Sequence, residues 1–525
     1  MVGRRRASRI GIALLVAAAS ALGALVAGSG ARPHVAATAV APKPNIVFIL
    51  TDDLSWNLVN SQFAPHIVAL EGRGETFNHY FVADSLCCPS RSTIFTGLFP
   101  HDTKVVTNVG PTGGFQKFQS QGLDKRTFAV AIQRRGYLTS MMGKYLNGYG
   151  DPAMTSASAP IPPGWSDWHV SNVTGYTEFN YLLNDNGAFD QFGGTRAGCG
   201  VTDTPDNYGV DVLNSDARSF ITGAKGRPFA IEVATFAPHA PYTPAPRNAC
   251  DFPALTEPRD PSFDTPNINP PAWLGTRKPL TARQITVIDR DFRKRAQAVE
   301  AVDRLLADVE AKLAAEHLTR NTYIVFSSDN GYHMGQHGLL RGKQTAFDTD
   351  IRVPLIVAGP GVPGGTIVSQ VAQNVDLYPT FVELAGAKPD RPIDGHSLVG
   401  LLHPTTTHSR WRTVALVEHH GLNNDPGDPD FEDGKHGGNP TTYEAIRISS
   451  RHLPGFRAPV EAVYVEYADA AHEIEYYDIR RDPFERDNIA KSLTAAQRTE
   501  LHKILARLET CHNAAGCWSA GLPNG

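Results

Sequence analysis

From residue 45 to about residue 357 the chain alternates apolar runs with abrupt polar stops. Residues 45–50 run into Asp52 and Asp53, and residues 137–142 into Gly143 and Lys144. Residues 229–234 lead to Pro238 and His239. Residues 323–326 end in Ser327, Ser328, Asp329 and Asn330, and residues 353–357 end in Gly359, Pro360 and Gly361. Short β-rich runs bounded by such punctuation predict buried strands. Helical spacing lies between them. Ala298, Val302, Leu305, Val309 and Leu313 recur every three or four residues just ahead of the strand at Tyr323. Residues 127–135 read as a helix capped by Gly136, and residues 376–385 as one ending at Gly386. Strands alternating with helices predict an α/β fold, a large sheet flanked by helices on both faces. Ligands gather at the carboxyl ends of strands in such sheets. Asp52, Asp53, Lys144, His239, Asp329 and Asn330 all fall there, so their convergence on one site is expected.

After about residue 405 the texture changes. Residues 423–440 are dense in Gly, Asp, Asn and Pro and read as a long loop. Residues 443–448 and 462–467 alternate as strands, and residues 494–508 read as a closing helix. The expected organisation is an export signal and linker over 1–39, a catalytic domain over 40–405, and a smaller C-terminal antiparallel-sheet domain over 406–525. No internal repeat is visible.

The chain has 525 residues, long enough for several domains or one large α/β enzyme. Hydrophobic residues make up 41% and charged residues 19%, which excludes a disordered chain, a coiled coil and a fibrous repeat. With 49 basic and 53 acidic residues there is no basic excess of the kind that marks a nucleic-acid partner. Arg4, Arg5, Arg6 and Arg9 precede an apolar, small-residue run over 10–27, followed by small-x-small sites near Ala31 and Ala39. That is the layout of an export signal, expected to be cleaved so that no stable membrane span remains; the rival reading is an uncleaved anchor, which a run so rich in Ala, Gly and Ser makes weak. Export permits disulfides. Cys511 and Cys517 are expected to pair across a short loop, and Cys199 with Cys250 is the next pairing expected. The adjacent Cys87 and Cys88 rarely bridge each other and need another explanation.

That explanation comes from Cys87-Cys88-Pro89-Ser90-Arg91, followed by Thr96-Gly97. The segment resembles the signature of the type I sulfatases. Further resemblances are Leu50-Thr51-Asp52-Asp53, Gly143-Lys144-Tyr145-Leu146-Asn147, Pro238-His239-Ala240-Pro241, Ser328 to His333, Lys343 through Pro354, and Tyr477 to Glu485. The likeness runs from about residue 44 to about 490. It is nearest the N-acetylglucosamine-6-sulfatases and the extracellular heparan 6-O-endosulfatases. It implies an alkaline-phosphatase-superfamily fold, and a formylglycine made from Cys87 by a formylglycine-generating enzyme. A hydrated aldehyde carries two hydroxyls on one carbon. One can attack sulfur and the other can later release sulfate, whereas a thiolate would have no easy way to let the group go.

The resemblance assigns the metal site to Asp52, Asp53, Cys87, Asp329 and Asn330. Asp52, Asp53, Asp329 and Asn330 offer only oxygen, which suits a hard cation, and flexible high coordination favours Ca²⁺ over Mg²⁺. It assigns Arg91 and Lys144 to the formylglycine, and Lys343 and His239 to the sulfate, with His239 as general acid to the leaving alcohol. Many sulfatases carry a His where this chain has Leu146, so the base that regenerates the aldehyde is open, with His333 and His337 as candidates. Glu418, His419 and His420 are candidates to line the substrate pocket, or belong to a polar loop. The expected activity is hydrolysis of a sulfated sugar, an N-acetylglucosamine 6-sulfate or a relative, and of aryl sulfates. The alternatives are a phosphonate monoester or phosphodiester hydrolase of the same superfamily, and an unmodified, inactive glycan-binding protein.

Overall fold

The computed structural model describes residues 43–522 except 152, 195–197, 404–409, 422–427, 429 and 431–439. The signal at 1–39, the boundary at 405/406 and most of the loop expected at 423–440 lie outside the described residues.

A ten-stranded sheet runs through the molecule in the order Thr366–Val368, Glu75–Phe77, Leu355–Ala358, Thr322–Ser328, Asn45–Thr51, Phe229–Ala234, Leu138–Lys144, Asp167–Ser171, Leu182–Asp185, Ala188–Gln191. The five strands from Thr322–Ser328 to Asp167–Ser171 are mutually parallel. The three innermost, Asn45–Thr51, Phe229–Ala234 and Thr322–Ser328, are buried at every position, which is why they read as unbroken apolar runs. Their register matters for function. Leu50 pairs with both Ser327 and Ala234, and Ala234 pairs with Gly143. The carboxyl ends of four strands are thereby level, and the residues just past them share one rim.

The sheet is mixed at its flanks. The strand expected at 353–357 forms as Leu355–Ala358 and runs antiparallel to Thr322–Ser328. The connection between the two holds only a small hairpin, His333–Met334 with Arg341–Gly342, and the one-turn helix Asp348–Ile351. A parallel return needs a full crossover element, and none is present there.

The helix signalled by Ala298 to Leu313 is longer than its apolar spacing indicated, spanning Ala282–Ala315. Its start is set by a capping box, in which Thr281 accepts from the Gln284 N–H and Gln284 accepts from the Thr281 N–H. The helices at Phe128–Gln133 and Leu377–Leu384 match expectation, and the second stops at Gly386 with φ +64°.

The C-terminal strands Val414–His419, Tyr443–Ser450, Val460–Tyr467 and Ile474–Asp478 form an antiparallel meander. Side chains alternate across it. Ala415, Val417, Ala445 and Val463 join the core that covers one face of the large sheet. Val414, Leu416, Ile446 and Ile448 pack with Leu501, Ile504 and Leu508 of the closing helix Ala495–Leu508. Disulfides join Cys199 to Cys250 and Cys511 to Cys517, with Cα separations of 4.9 and 5.0 Å. Among the described residues, no helix is long and apolar enough to cross a membrane.

Candidate active site

The helix Cys87–Thr96 begins at Cys87 and is buried along its whole length. It ends at Gly97 with φ +68°, where a Cβ would sit 3.0 Å from Tyr378. Cys87 therefore stands at the positive end of the helix dipole, on the rim made by the strand ends. Neither Cys87 nor Cys88 is in a disulfide. Cys88 turns into the apolar core, while Cys87 faces polar groups.

The Cys87 Sγ donates to Asp52 Oδ1 at 3.2 Å and receives Lys343 Nζ at 2.8 Å. Burial, with the charges of Asp430 and Asp52, pushes this thiol well up. As a plain cysteine it keeps its proton and is a poor nucleophile.

The acidic side of the site comes from two strand ends. Asp53 is held in the left-handed region, φ +63°. Its Oδ1 accepts from Lys343 Nζ at 2.6 Å and from Asn330 Nδ2 at 2.7 Å. Asp52 Oδ2 accepts from Lys144 Nζ at 2.5 Å. Asp329 accepts from Arg91 Nε at 2.7 Å. Burial and the neighbouring Asp329 charge push Asp52 up to about 6. For Asp329, burial is outweighed by Arg91, Lys144 and Lys343, and its pKa is held down to about 2. Asp53 Oδ2 and Asn330 Oδ1 are buried with no hydrogen-bond partner. Ligand atoms of Asp52, Asp53, Cys87 and His239 lie within 4.8 Å of one another. Asp53 Oδ2 lies 3.5 Å from His239 Nε2. A dense set of buried oxygens, two of them without a hydrogen bond, is a chemical fit for a hard divalent cation.

The cations close the other side. Arg91 is fully buried and also donates from Nη1 to the Lys144 carbonyl at 2.9 Å, tying the helix to the strand Leu138–Lys144. Lys144 Nζ lies 4.9 Å from the ring centre of Tyr176, and that ring also packs on His239 at 4.4 Å. Lys343 follows the hairpin strand Arg341–Gly342, and the next residues anchor it. Gln344 N–H donates to the Ser85 carbonyl, and Thr345 donates to Asp350. Both ring nitrogens of His239 face acceptors, the Ala240 carbonyl and Asp430 Oδ1, each at 2.8 Å. Two acceptors require two ring protons, so His239 is an imidazolium. Burial opposes that charge, but Asp53, Asp52 and Asp430 outweigh it and push the pKa up to about 9.

Nine of the residues expected at the site meet there: Asp52, Asp53, Cys87, Arg91, Lys144, His239, Asp329, Asn330 and Lys343. Others do not join them. His333 bonds to Asp350 at 3.0 Å, and His337 to Asn267 at 2.7 Å while stacking on Phe347. Neither ring hydrogen-bonds to Cys87, Lys144 or Lys343. Leu146 packs in the apolar core. Glu418 is buried and binds His101 at 2.9 Å, and His419 binds the Pro440 carbonyl at 3.2 Å. His420 lies 3.6 Å from Glu444.

Three residues at the site carried no sequence signal. Asn108 accepts from the Cys88 N–H at 2.8 Å and donates to Asp430 at 2.6 Å and Asp428 at 3.2 Å. Asp430 reaches His239 and Lys343. Tyr176 packs beneath two cations. Asp430 sits in a stretch so rich in Asp, Asn and Gly that no single acid stands out, and Asn108 and Tyr176 belong to no motif.

Comparison with known proteins gives a consistent picture. A family model described as Sulfatase matches residues 44–387. The human N-acetylglucosamine-6-sulfatase is 32% identical over 89% of this chain and 85% of its own length. An arylsulfatase of Volvox carteri is 30% identical over 93% of this chain and 78% of its own. A solved structure in complex with its substrate D-glucosamine-2-N,6-O-disulfate superposes with a TM-score of 0.70 at 21% identity, covering 88% of this chain and 97% of that one.

Proposed function

The chain belongs to the sulfatase family and is a sulfuric ester hydrolase, and from that premise we propose that it is exported and removes the 6-sulfate of an N-acetylglucosamine-type sugar, with aryl sulfates as further substrates. Its fold is of the alkaline-phosphatase type. The reading has Cys87 converted to formylglycine by a formylglycine-generating enzyme, and one Ca²⁺ held by Asp52, Asp53, Asp329 and Asn330. The observation that carries it is the placement of Cys87 Sγ, bonded at once to Lys343 and to Asp52, on a cluster of buried oxygens.

The hydrated aldehyde would supply the nucleophile, and the cation would polarise the sulfate oxygens. The chain's own side chains do the rest. Arg91 and Lys144 hold Asp329 and Asp52 in place beside Cys87 and keep positive charge at the nucleophile. Lys343 Nζ, on Cys87 and Asp53, is preplaced for the negative charge of the sulfuryl group. His239 carries a proton on Nε2, facing the interior of the site, and can pass it to the departing alcohol oxygen. Supporting the sugar are the activity for which the human relative is named and the substrate bound in the superposed structure, both of which concern glucosamines sulfated at position 6. The name of the Volvox relative supports aryl sulfates. Supporting export are the basic start and apolar run at 4–27 and the two disulfides.

The test is a comparison of N-acetylglucosamine 6-sulfate, 4-nitrophenyl sulfate and the matching aryl phosphonate, with mass spectrometry of the Cys87 peptide in parallel. The expected result is the aldehyde mass at residue 87 and sulfate-ester turnover. A preference for the phosphonate by orders of magnitude in kcat/KM would replace this reading with the phosphonate hydrolase. A native-host protein with an unmodified thiol and no turnover would replace it with the glycan-binding one.

A further inference from the structure

The groups placed to grip the sulfate are already holding an anion. Asp430 Oδ1 lies 2.8 Å from His239 Nε2 and 3.0 Å from Lys343 Nζ. Its Oδ2 lies 3.6 Å from Cys87 Sγ and accepts from Asn108 Nδ2 at 2.6 Å. One carboxylate therefore bridges both sulfate-gripping cations and points its second oxygen at the nucleophile position. An incoming sulfuryl group needs that space. Asp430 Oδ2 is tethered to Asn108, which is held in turn by the Cys88 N–H, and the Asp430 N–H donates to Asp428 at 2.9 Å. A carboxylate displaced from the cations but still tethered there stays beside the seat as a negative charge. Like-charge contact costs more for a dianion than for a monoanion, which is how a site rejects a close analogue.

We propose that Asp430 is a specificity-determining residue: a resident carboxylate that a ligand must displace from Lys343 and His239, and that admits a singly charged sulfuryl group while turning away a doubly charged phosphoryl group. This rests on the sulfatase reading above. It adds a residue outside the recognised motifs, and a reason why a phosphate monoester of the same shape is discriminated against.

The test uses the full, metal-loaded enzyme with methyl sulfate, a monoanion at every working pH, and methyl phosphate as probes, their binding measured by calorimetry so that turnover is not required. At about pH 8 methyl phosphate is a dianion, and at about pH 5 a monoanion. In the wild type the ratio of the methyl phosphate to the methyl sulfate dissociation constant should rise at least about tenfold from the lower to the higher pH. In Asp430→Asn methyl sulfate should bind more tightly, and the ratio at high pH should fall at least about tenfold. A ratio within about twofold of wild type, or weaker methyl sulfate binding in the variant, overturns the proposal. If that variant does not fold, Asp430→Ser is read in its place by the same ratio at high pH, and an unchanged ratio overturns the proposal. Failure of the enzyme reading looks different. A protein with the aldehyde in place that hydrolyses no sulfate ester would sink that reading, while the binding ratio would still judge Asp430.

Discussion

Cys87 and Cys88 are neighbours with opposite surroundings, because successive positions on a helix point about 100° apart. One faces Lys343 and Asp52, the other the core around Phe95 and Phe115. Cys87→Ala should abolish turnover and leave the melting temperature close to wild type, measured by assay and calorimetry together. Cys88→Ser should do the reverse, keeping turnover but losing about 1–3 kcal/mol on denaturant unfolding, since it buries a hydroxyl. A dead but well-folded Cys88→Ser protein would show that the wrong member of the pair was chosen. Lys343→Met should lower kcat/KM for an aryl sulfate by about 10²–10³-fold, the usual loss for one preorganised donor at a developing negative charge. These residues were legible because the motif and the strand ends name them. Asn108, Tyr176 and Asp430 were not, since each is an ordinary residue until folding sets it against His239, Lys144 or Cys88.

At the level of elements, the start of the closing helix was legible at Thr494. Thr281 and Thr494 each form a capping box with the Gln three residues on. Thr494→Ala should cost about 1 kcal/mol, read as a shift in the unfolding midpoint. The extent of Ala282–Ala315 was less readable, because its first turns are only partly covered and show little apolar spacing. A second link joins the short helix Pro100–Thr103 to the strand Val414–His419. His101 donates from one ring nitrogen to Glu418 and from the other to the Cys511 carbonyl. Burial opposes its charge, but those acceptors outweigh it and push the pKa from 6.5 to about 9. The folded value lies above the unfolded one. The stabilisation is therefore complete below about pH 6.5 and is lost as pH rises towards about 9. Melting temperatures over that window should fall in the wild type, and His101→Gln should remove this component of the slope. An unchanged slope in the variant would remove the charged pair from the account.

For the whole molecule, cross-links and the proposed ion tie distant segments together. Reducing Cys199–Cys250, which spans 51 residues, should cost about 2–4 kcal/mol in unfolding free energy. Removing divalent cations with a chelator should end turnover and lower the melting temperature, with Ca²⁺ restoring both better than Mg²⁺. Restoration by Mg²⁺ alone would change the assigned cation. The sequence by itself determined the alternation of strand and helix, the polar residues at the strand ends, the Cys87 motif and the disulfide partners, because each is written in spacing or residue type over short stretches. Only the tertiary structure decided that Leu355–Ala358 turns antiparallel, that Leu146 fills core, and that Asp430 reaches Cys87 across 343 residues of chain. The physical reason is that contacts of such separation arise from how packed layers stack and which ends they bring level, and no local periodicity records them.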